Sequence, residues 1–143
     1  MNFDEYAAKA KVLAPAGIPV PRAKLALTPE EAKAAFAEIG PCVVKAQVPV
    51  GKRGKSGGIL PADSADEADA AARAILGMSI GSHRVEKLLI EERAEIAHEF
   101  YAAVMTDFTG RRPLVLFSSE GGIDIEEVAA LRPDAVRRRP VDI

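Results

Sequence analysis

Val43-Val44-Lys45-Ala46-Gln47 is followed, after Val48-Pro49-Val50, by Gly51-Lys52-Arg53-Gly54-Lys55-Ser56-Gly57-Gly58. A short apolar run ends in a lysine, and a loop with four glycines and three cations comes directly after it. Glycine lets main-chain N–H groups turn toward an anion, and the cations neutralise it. A polyphosphate suits this arrangement. The stretch is not a P-loop, which needs Gly-x-x-x-x-Gly-Lys-Ser/Thr followed by a helix. Gly54-Lys55-Ser56 supplies the end of that motif, but Pro49 stands where its first glycine belongs. Gly57-Gly58-Ile59 is also a poor helix start. Spacing alone leaves two readings open, a phosphate-binding loop and a solvated surface hairpin.

The flanking segments predict alternating helices and strands. Phe3, Tyr6, Ala7, Ala10, Leu13 and Ala14 share one face at helical spacing, which predicts a helix over 2–14. Gly17-Ile18-Pro19-Val20-Pro21 ends it and leads to an extended segment at 24–27. Thr28-Pro29-Glu30-Glu31 starts a second helix, with Thr28 as N-cap, Pro29 at the first helical position and Glu31 closing a capping box. That helix runs to about Ile39 and stops at Gly40-Pro41. A strand over 42–47 carries Lys45, and a short strand near Ile59-Leu60 follows the loop. Ser64 and Glu67 form a second capping box, opening a helix that Gly77 ends.

The second half reads as a β-meander. Strands are expected at 85–92, 95–107 and 113–118, with Thr109-Gly110-Arg111-Arg112 as a turn and a short helix over 124–131. The fold class that follows is α+β, mixed α/β. Within this half, Glu91, Glu92, Glu95 and Glu99 crowd one junction. Carboxylates there accept hydrogen bonds from ribose hydroxyls or an amine edge, or they are solvated charge on a strand edge.

Composition narrows the function classes. The chain has 143 residues and a net charge of −2, so it is long enough for a real core and lacks the strong basic balance of a nucleic-acid-binding domain. Arg137-Arg138-Arg139 reads as a solvated tail. The single cysteine, Cys42, lies in an apolar strand, which excludes an internal disulfide and favours a reducing, cytoplasmic home. No apolar run approaches the roughly 20 residues of a membrane span, and no signal-peptide core precedes the first helix. The two histidines, His83 and His98, stand apart from any cysteine pair, so a zinc site is not expected.

Several blocks, in order, resemble the ATP-grasp β subunit of succinyl-CoA synthetase and related ADP- or GDP-forming acyl-CoA synthetases, in its N-terminal part. They are Asn2-Phe3-Asp4-Glu5-Tyr6-Ala7-Ala8-Lys9, Gly17-Ile18-Pro19-Val20-Pro21, Val43 to Gln47, Gly51 to Gly58, Leu89-Ile90-Glu91-Glu92, Ile96-Ala97-His98-Glu99-Phe100-Tyr101 and Ser118 to Ala129. The resemblance implies an ATP-grasp fold, of which about 20–90 would be a first subdomain and 1–19 with 91–143 the start of a second. It implies ATP or GTP as the nucleotide, with Lys45 reaching the phosphates and Lys52, Arg53 and Gly54 over them. Glu91 and Glu99 would face the nucleotide, and Ala94 would contribute a main-chain contact; Glu92 and Glu95 stay solvated.

The same resemblance implies an acid–CoA ligase of the tricarboxylic acid cycle, forming a thioester through a phosphohistidine on an α subunit. That subunit, CoA and a carboxylic acid are the expected partners. Mg²⁺ is expected, with its Asn and Asp ligands outside this chain, and the 143 residues alone are expected to bind nucleotide weakly without turnover. The family usually reads His-Ala-Gly-Gly-Arg-Gly-Lys in the loop, where this chain has Pro49 to Lys55. The shorter 77–87 segment weakens an assignment to succinate. The rival readings are a non-catalytic nucleotide-sensing or partner-docking module, and the ATP-grasp part of a malate–CoA ligase or ATP-citrate lyase-type enzyme.

Overall fold

In the computed structural model, residues 3–51, 53–122 and 125–142 are described. The chain divides into two compact units, Met1–Ala94 and Glu95–Ile143. The first unit is built on a four-stranded antiparallel sheet of order β1-β6-β2-β3, made of β1 (Ala23–Ala26), β2 (Cys42–Ala46), β3 (Ile59–Ala62) and β6 (Leu88–Glu92). Two helices, α2 (Pro29–Ile39) and α3 (Ala65–Ile75), pack on each other and on one face of this sheet.

Both helices start where their caps predict. The Thr28 hydroxyl accepts from the Glu31 N–H at 3.2 Å, and the Ser64 hydroxyl accepts from the Glu67 N–H at 3.2 Å. The reciprocal bond of each box is displaced by one residue. Glu31 accepts from the N–H of Leu27, and Glu67 from that of Asp63, both at 2.7 Å. Small residues line the buried stripes: Ala32 and Ala35 in α2, and Ala68, Ala71 and Ala72 in α3. Small side chains let the two helix backbones lie close, and Ile39 and Ile75 add larger apolar groups to the same buried core.

Strand alternation sets what faces where. Cys42, Val44 and Ala46 of β2 point into the helix-covered core together with Leu88 and Ile90 of β6. Burial pushes the Cys42 thiol above its ordinary pKa, in keeping with a packing role. The opposite face carries Val43 and Lys45 of β2 beside Leu89 and Glu91 of β6. Leu89 and Glu91 are buried as well, so this second face is also covered.

The cover on that face includes the N-terminal helix. Helix α1 (Glu5–Ala8) runs directly into a π-helical segment, Lys9–Leu13, closed by an Ala14 N–H to Lys9 C=O bond of 2.9 Å. The apolar face expected for 2–14 is not what this helix buries. No residue of either segment is fully buried, and Phe3 and Val12 are exposed. Its polar side chains turn to the sheet instead. Asp4 caps it by accepting from Ala7 at 2.8 Å, and Gln47, almost fully buried, accepts from the Tyr6 N–H at 2.9 Å.

Three other expectations need correction in the first unit and the start of the second. The strand expected at 85–92 begins only at Leu88. Val85 bonds with Gly77 and Met78 instead, next to a two-stranded hairpin of β4 (Ser79–Ile80) and β5 (His83–Arg84) that the sequence did not signal. Nor does β6 join the meander; it returns to the centre of the first sheet, between β1 and β2. The strand expected at 95–107 starts at Tyr101, because its partner Ser118 is the last residue of β8.

The second unit is a meander of β7 (Tyr101–Asp107), β8 (Arg112–Ser118) and β9 (Val136–Pro140), with helix α4 (Ile125–Leu131) between the last two. Asp107 closes the β7–β8 turn by accepting from the Thr109 and Gly110 N–H groups, each at 3.0 Å. Arg137-Arg138-Arg139 is not a solvated tail. It is the body of β9, in register with Phe117, Leu116 and Val115.

Candidate functional site

Lys45 and Glu91 come together because of strand register. Lys45 stands opposite Leu89, and Glu91 opposite Val43, so the two are diagonal neighbours on one face of adjacent strands. The Lys45 ammonium donates to Glu91 Oε1 at 2.6 Å and to Glu5 Oε1 at 3.0 Å. Lys9, one turn after Glu5 on the N-terminal helix, donates to Glu5 Oε1 at 2.7 Å and also to Glu91 Oε2. Arg53 reaches the same place from the loop, donating to Glu5 Oε2 at 2.7 Å and to the Ala46 carbonyl at 2.7 Å.

Three cations from three elements therefore converge on Glu5, and two of them are shared with Glu91. All five side chains are mostly screened from solvent. Burial alone would favour a neutral Glu5. Hydrogen bonds from Lys9, Arg53 and Lys45 outweigh it and hold the Glu5 carboxyl down to about 2. Burial likewise works against the charge on Lys9, but its bonds to Glu5 and Glu91 raise its pKa above the ordinary lysine value.

The glycine loop is anchored at both ends of its turn. The Gly58 N–H donates to the Arg53 carbonyl at 2.8 Å, the Gly57 N–H to the Gly54 carbonyl at 3.1 Å, and the Ala46 N–H to the Gly58 carbonyl at 2.7 Å. Gly58 is buried against β2 and β4. A Cβ there would lie 2.6 Å from Ile80 Cδ1 and 3.2 Å from both Ala46 Cβ and the Arg53 carbonyl oxygen. Gly57 sits at φ +75°, where glycine is unstrained. The loop is thus held by its backbone and by the Arg53 guanidinium.

Beside this cluster lies a cavity of about 490 Å³ between the helix N-terminus and the loop, lined among others by Phe3, Glu5, Val48, Gly51, Arg53 and Gly54. That volume is within the roughly 300–1,000 Å³ of small-molecule sites. An anion entering here meets Arg53 and two loop glycines directly, with the two lysines behind Glu5. The donor set suits phosphate oxygens: one planar guanidinium fork and two ammonium groups. Among the described residues, no three His, Cys, Asp or Glu side chains converge as a metal-ligand group.

Of the residues expected from the sequence, Lys45, Arg53 and Glu91 are brought into one cluster, and Gly54 lines the cavity. Lys52 lies outside the described residues. Ala94 is exposed at the end of the first unit. Glu99 belongs to the second unit, where its carbonyl accepts from the Gly121 N–H at 3.0 Å; a Cβ on Gly121 would lie 2.7 Å from the Glu99 carbonyl carbon. Glu92 and Glu95 are not in the cluster. Glu92 instead pairs with Arg22 at 2.9 Å, and Glu95 is exposed. Sequence reasoning missed Glu5 and Lys9. Their signal was an acid–base pair four residues apart on the polar side of the first helix.

Comparison with known proteins identifies the family. The sequence model of the ATP-grasp domain family matches residues 2–143. The chain is 50% identical over 143 residues to the β subunit of the GDP-forming succinate–CoA ligase of Thermus thermophilus, covering 99% of this chain and 38% of that protein. It is 55% identical over 119 residues to the ADP-forming β subunit of Rubrobacter xylanophilus, covering 82% of this chain and 31% of the relative. The chain spans only about a third of the length of these curated relatives, 38% of one and 31% of the other. Among solved structures, the dinucleotide-forming acetyl-coenzyme A synthetase 1 of Ca. Korarchaeum cryptofilum, in complex with coenzyme A and Ca-AMPCP, aligns with a TM-score of 0.80 at 27% identity over 99% of this chain and 61% of that one. The ATP citrate lyase of Methanothrix soehngenii aligns at a TM-score of 0.68 and 24% identity, a likeness of fold. A match along the whole sequence, an α+β fold shared with acyl-CoA synthetases and a lysine–arginine cluster beside a glycine loop agree on one assignment: the chain belongs to the ATP-grasp family.

Proposed function

We propose that this chain is the nucleotide-binding segment of an ADP- or GDP-forming acid–CoA ligase β subunit of the succinate–CoA ligase type. The observation that carries the proposal is the convergence of Lys9, Lys45 and Arg53 beside a cavity walled by Gly51 and Gly54. Lys45 and Arg53 neutralise the nucleotide phosphates, with Lys52 and the Gly54 main chain alongside. Glu91, the Ala94 main chain and Glu99 serve the remaining polar groups of the nucleotide. The identity to succinate–CoA ligase β subunits supports the ligase reading, and a related malate–CoA ligase or ATP-citrate lyase-type enzyme would use the same half-site.

The finer assignments follow from this reading. ATP or GTP carries the phosphoryl group, and Mg²⁺ accompanies it on ligands outside this chain, where it would neutralise charge on the phosphates. The α subunit carries the phosphohistidine and, with CoA and the carboxylic acid, completes the reaction. In the complete ligase fold, about 20–90 is assigned to a first subdomain and 1–19 with 91–143 to the start of a second, a division that differs from the compact units Met1–Ala94 and Glu95–Ile143. The working compartment is the cytoplasm, which the single buried thiol suits.

Thermal melting of the chain with and without nucleotide tests the proposal, because a ligand that binds only the folded state raises the melting temperature. ATP or GTP raises it for the wild type and leaves Lys45→Ala where it was. Equal shifts in both proteins, or none in the wild type, would count against the assignment.

A further inference from the structure

The nucleotide reading assigns the glycine loop, Lys45 and the acids. It assigns no role to Glu5 and none to Lys9 beyond its place in the cluster, yet the N-terminal helix supplies both. Glu5 Oε1 accepts from Lys9 at 2.7 Å and Lys45 at 3.0 Å, while Oε2 accepts from Arg53 at 2.7 Å. One carboxylate thus occupies three donors in the manner of two phosphoryl oxygens. Counting Lys9, Lys45 and Arg53 against Glu5 and Glu91, the cluster carries one net positive charge. With Glu5 withdrawn, the cations outnumber the remaining acid three to one.

We propose that Lys9 is a further phosphate-directed cation of this site and that Glu5 is its internal placeholder, the carboxylate that a nucleotide phosphate must displace. The inference rests on the nucleotide reading above and adds the N-terminal helix to it. Three features support it. Glu5 borders the cavity together with Arg53 and Gly54, so an anion in that space competes directly for the Arg53 fork. Lys9 begins the π-helical segment, a local geometry that natural helices favour at functional sites. Its ammonium would stay pinned by Glu91 once Glu5 left, which keeps it directed at the same point as Lys45. Displacement exchanges one set of charge-assisted bonds for another, so the empty site never leaves three cations uncompensated.

The test is calorimetric titration of MgATP into the full chain and its variants, with circular dichroism and melting to confirm folding. Glu5→Gln removes the competing charge with little change of shape, and the expected result is binding tightened about tenfold, the size of one charge-assisted hydrogen bond. A merely structural role for Glu5 would move affinity the other way or not at all. Lys9→Met is expected to weaken binding by a similar factor, and Lys9→Arg to restore it. Should Glu5→Gln fail to fold, the Lys9 pair decides alone. Unchanged affinity in Glu5→Gln and Lys9→Met, with binding lost in Lys45→Ala, overturns the placeholder and leaves the nucleotide reading standing. No binding by any variant or by the wild type removes both.

Discussion

Lys45 and Glu91 lie diagonally across β2 and β6, with Nζ 2.6 Å from Oε1 in a nearly buried setting. Glu91 also accepts from Lys9, so it balances two ammonium groups at once. Glu91→Gln keeps the shape but leaves those lysines sharing Glu5 alone. We expect it to destabilise the first unit by about 2 kcal/mol, because a partly buried charge loses its partner. Urea unfolding checks this as a lowered midpoint; an unchanged midpoint would mean that the pair contributes nothing net.

Glu5 makes stability depend on acid. Its carboxyl is held at about 2 in the folded chain against 4.5 for an ordinary glutamate, so the folded state binds that proton less readily than the unfolded state does. The stabilisation is complete above about pH 5 and is lost as pH falls toward 2, for a total on the order of 1–2 kcal/mol once solvent screening of this partly exposed group is allowed for. Denaturant midpoints compared at about pH 6 and pH 3 should fall more steeply for the wild type than for Glu5→Gln. Parallel falls in the two proteins would refute the linkage. The raised pKa of Lys9 acts at the other end: its contribution is present below 10.5 and is lost only at higher pH.

Gly58 is the tightest point of the loop. An added Cβ meets Ile80, Ala46 and the Arg53 carbonyl at once, within a buried environment. Gly58→Ala is expected to cost about 1–3 kcal/mol through overpacking. It should also weaken nucleotide binding, since the displaced carbonyl belongs to Arg53. Melting temperature and calorimetric affinity measured on the same sample separate the two effects. A variant with wild-type values of both would show that the loop relaxes freely.

What could be read in the sequence was local. Thr28 with Glu31 and Ser64 with Glu67 marked two helix starts, and both hydroxyls cap as expected, because a cap is decided within four residues. Lys45 at the end of an apolar strand before a glycine loop was legible for the same reason. The central position of β6 was not, since it depends on pairing with segments more than forty residues away. Strand β9 was hidden because three consecutive arginines erase the apolar–polar alternation that marks a strand. Glu5 and Lys9 escaped because their partners, Lys45, Arg53 and Glu91, lie 40 to 82 residues away along the chain. No local pattern separates such a pair from an ordinary solvated one.

The most direct measurement is calorimetric titration of ATP and of GTP into the 143-residue chain beside Lys45→Ala, with both proteins verified as folded. The expected result is saturable one-to-one binding of at least one nucleotide by the wild type and its loss in the variant. A folded wild type that binds neither nucleotide, or a Lys45→Ala variant that binds as well as the wild type, would contradict it.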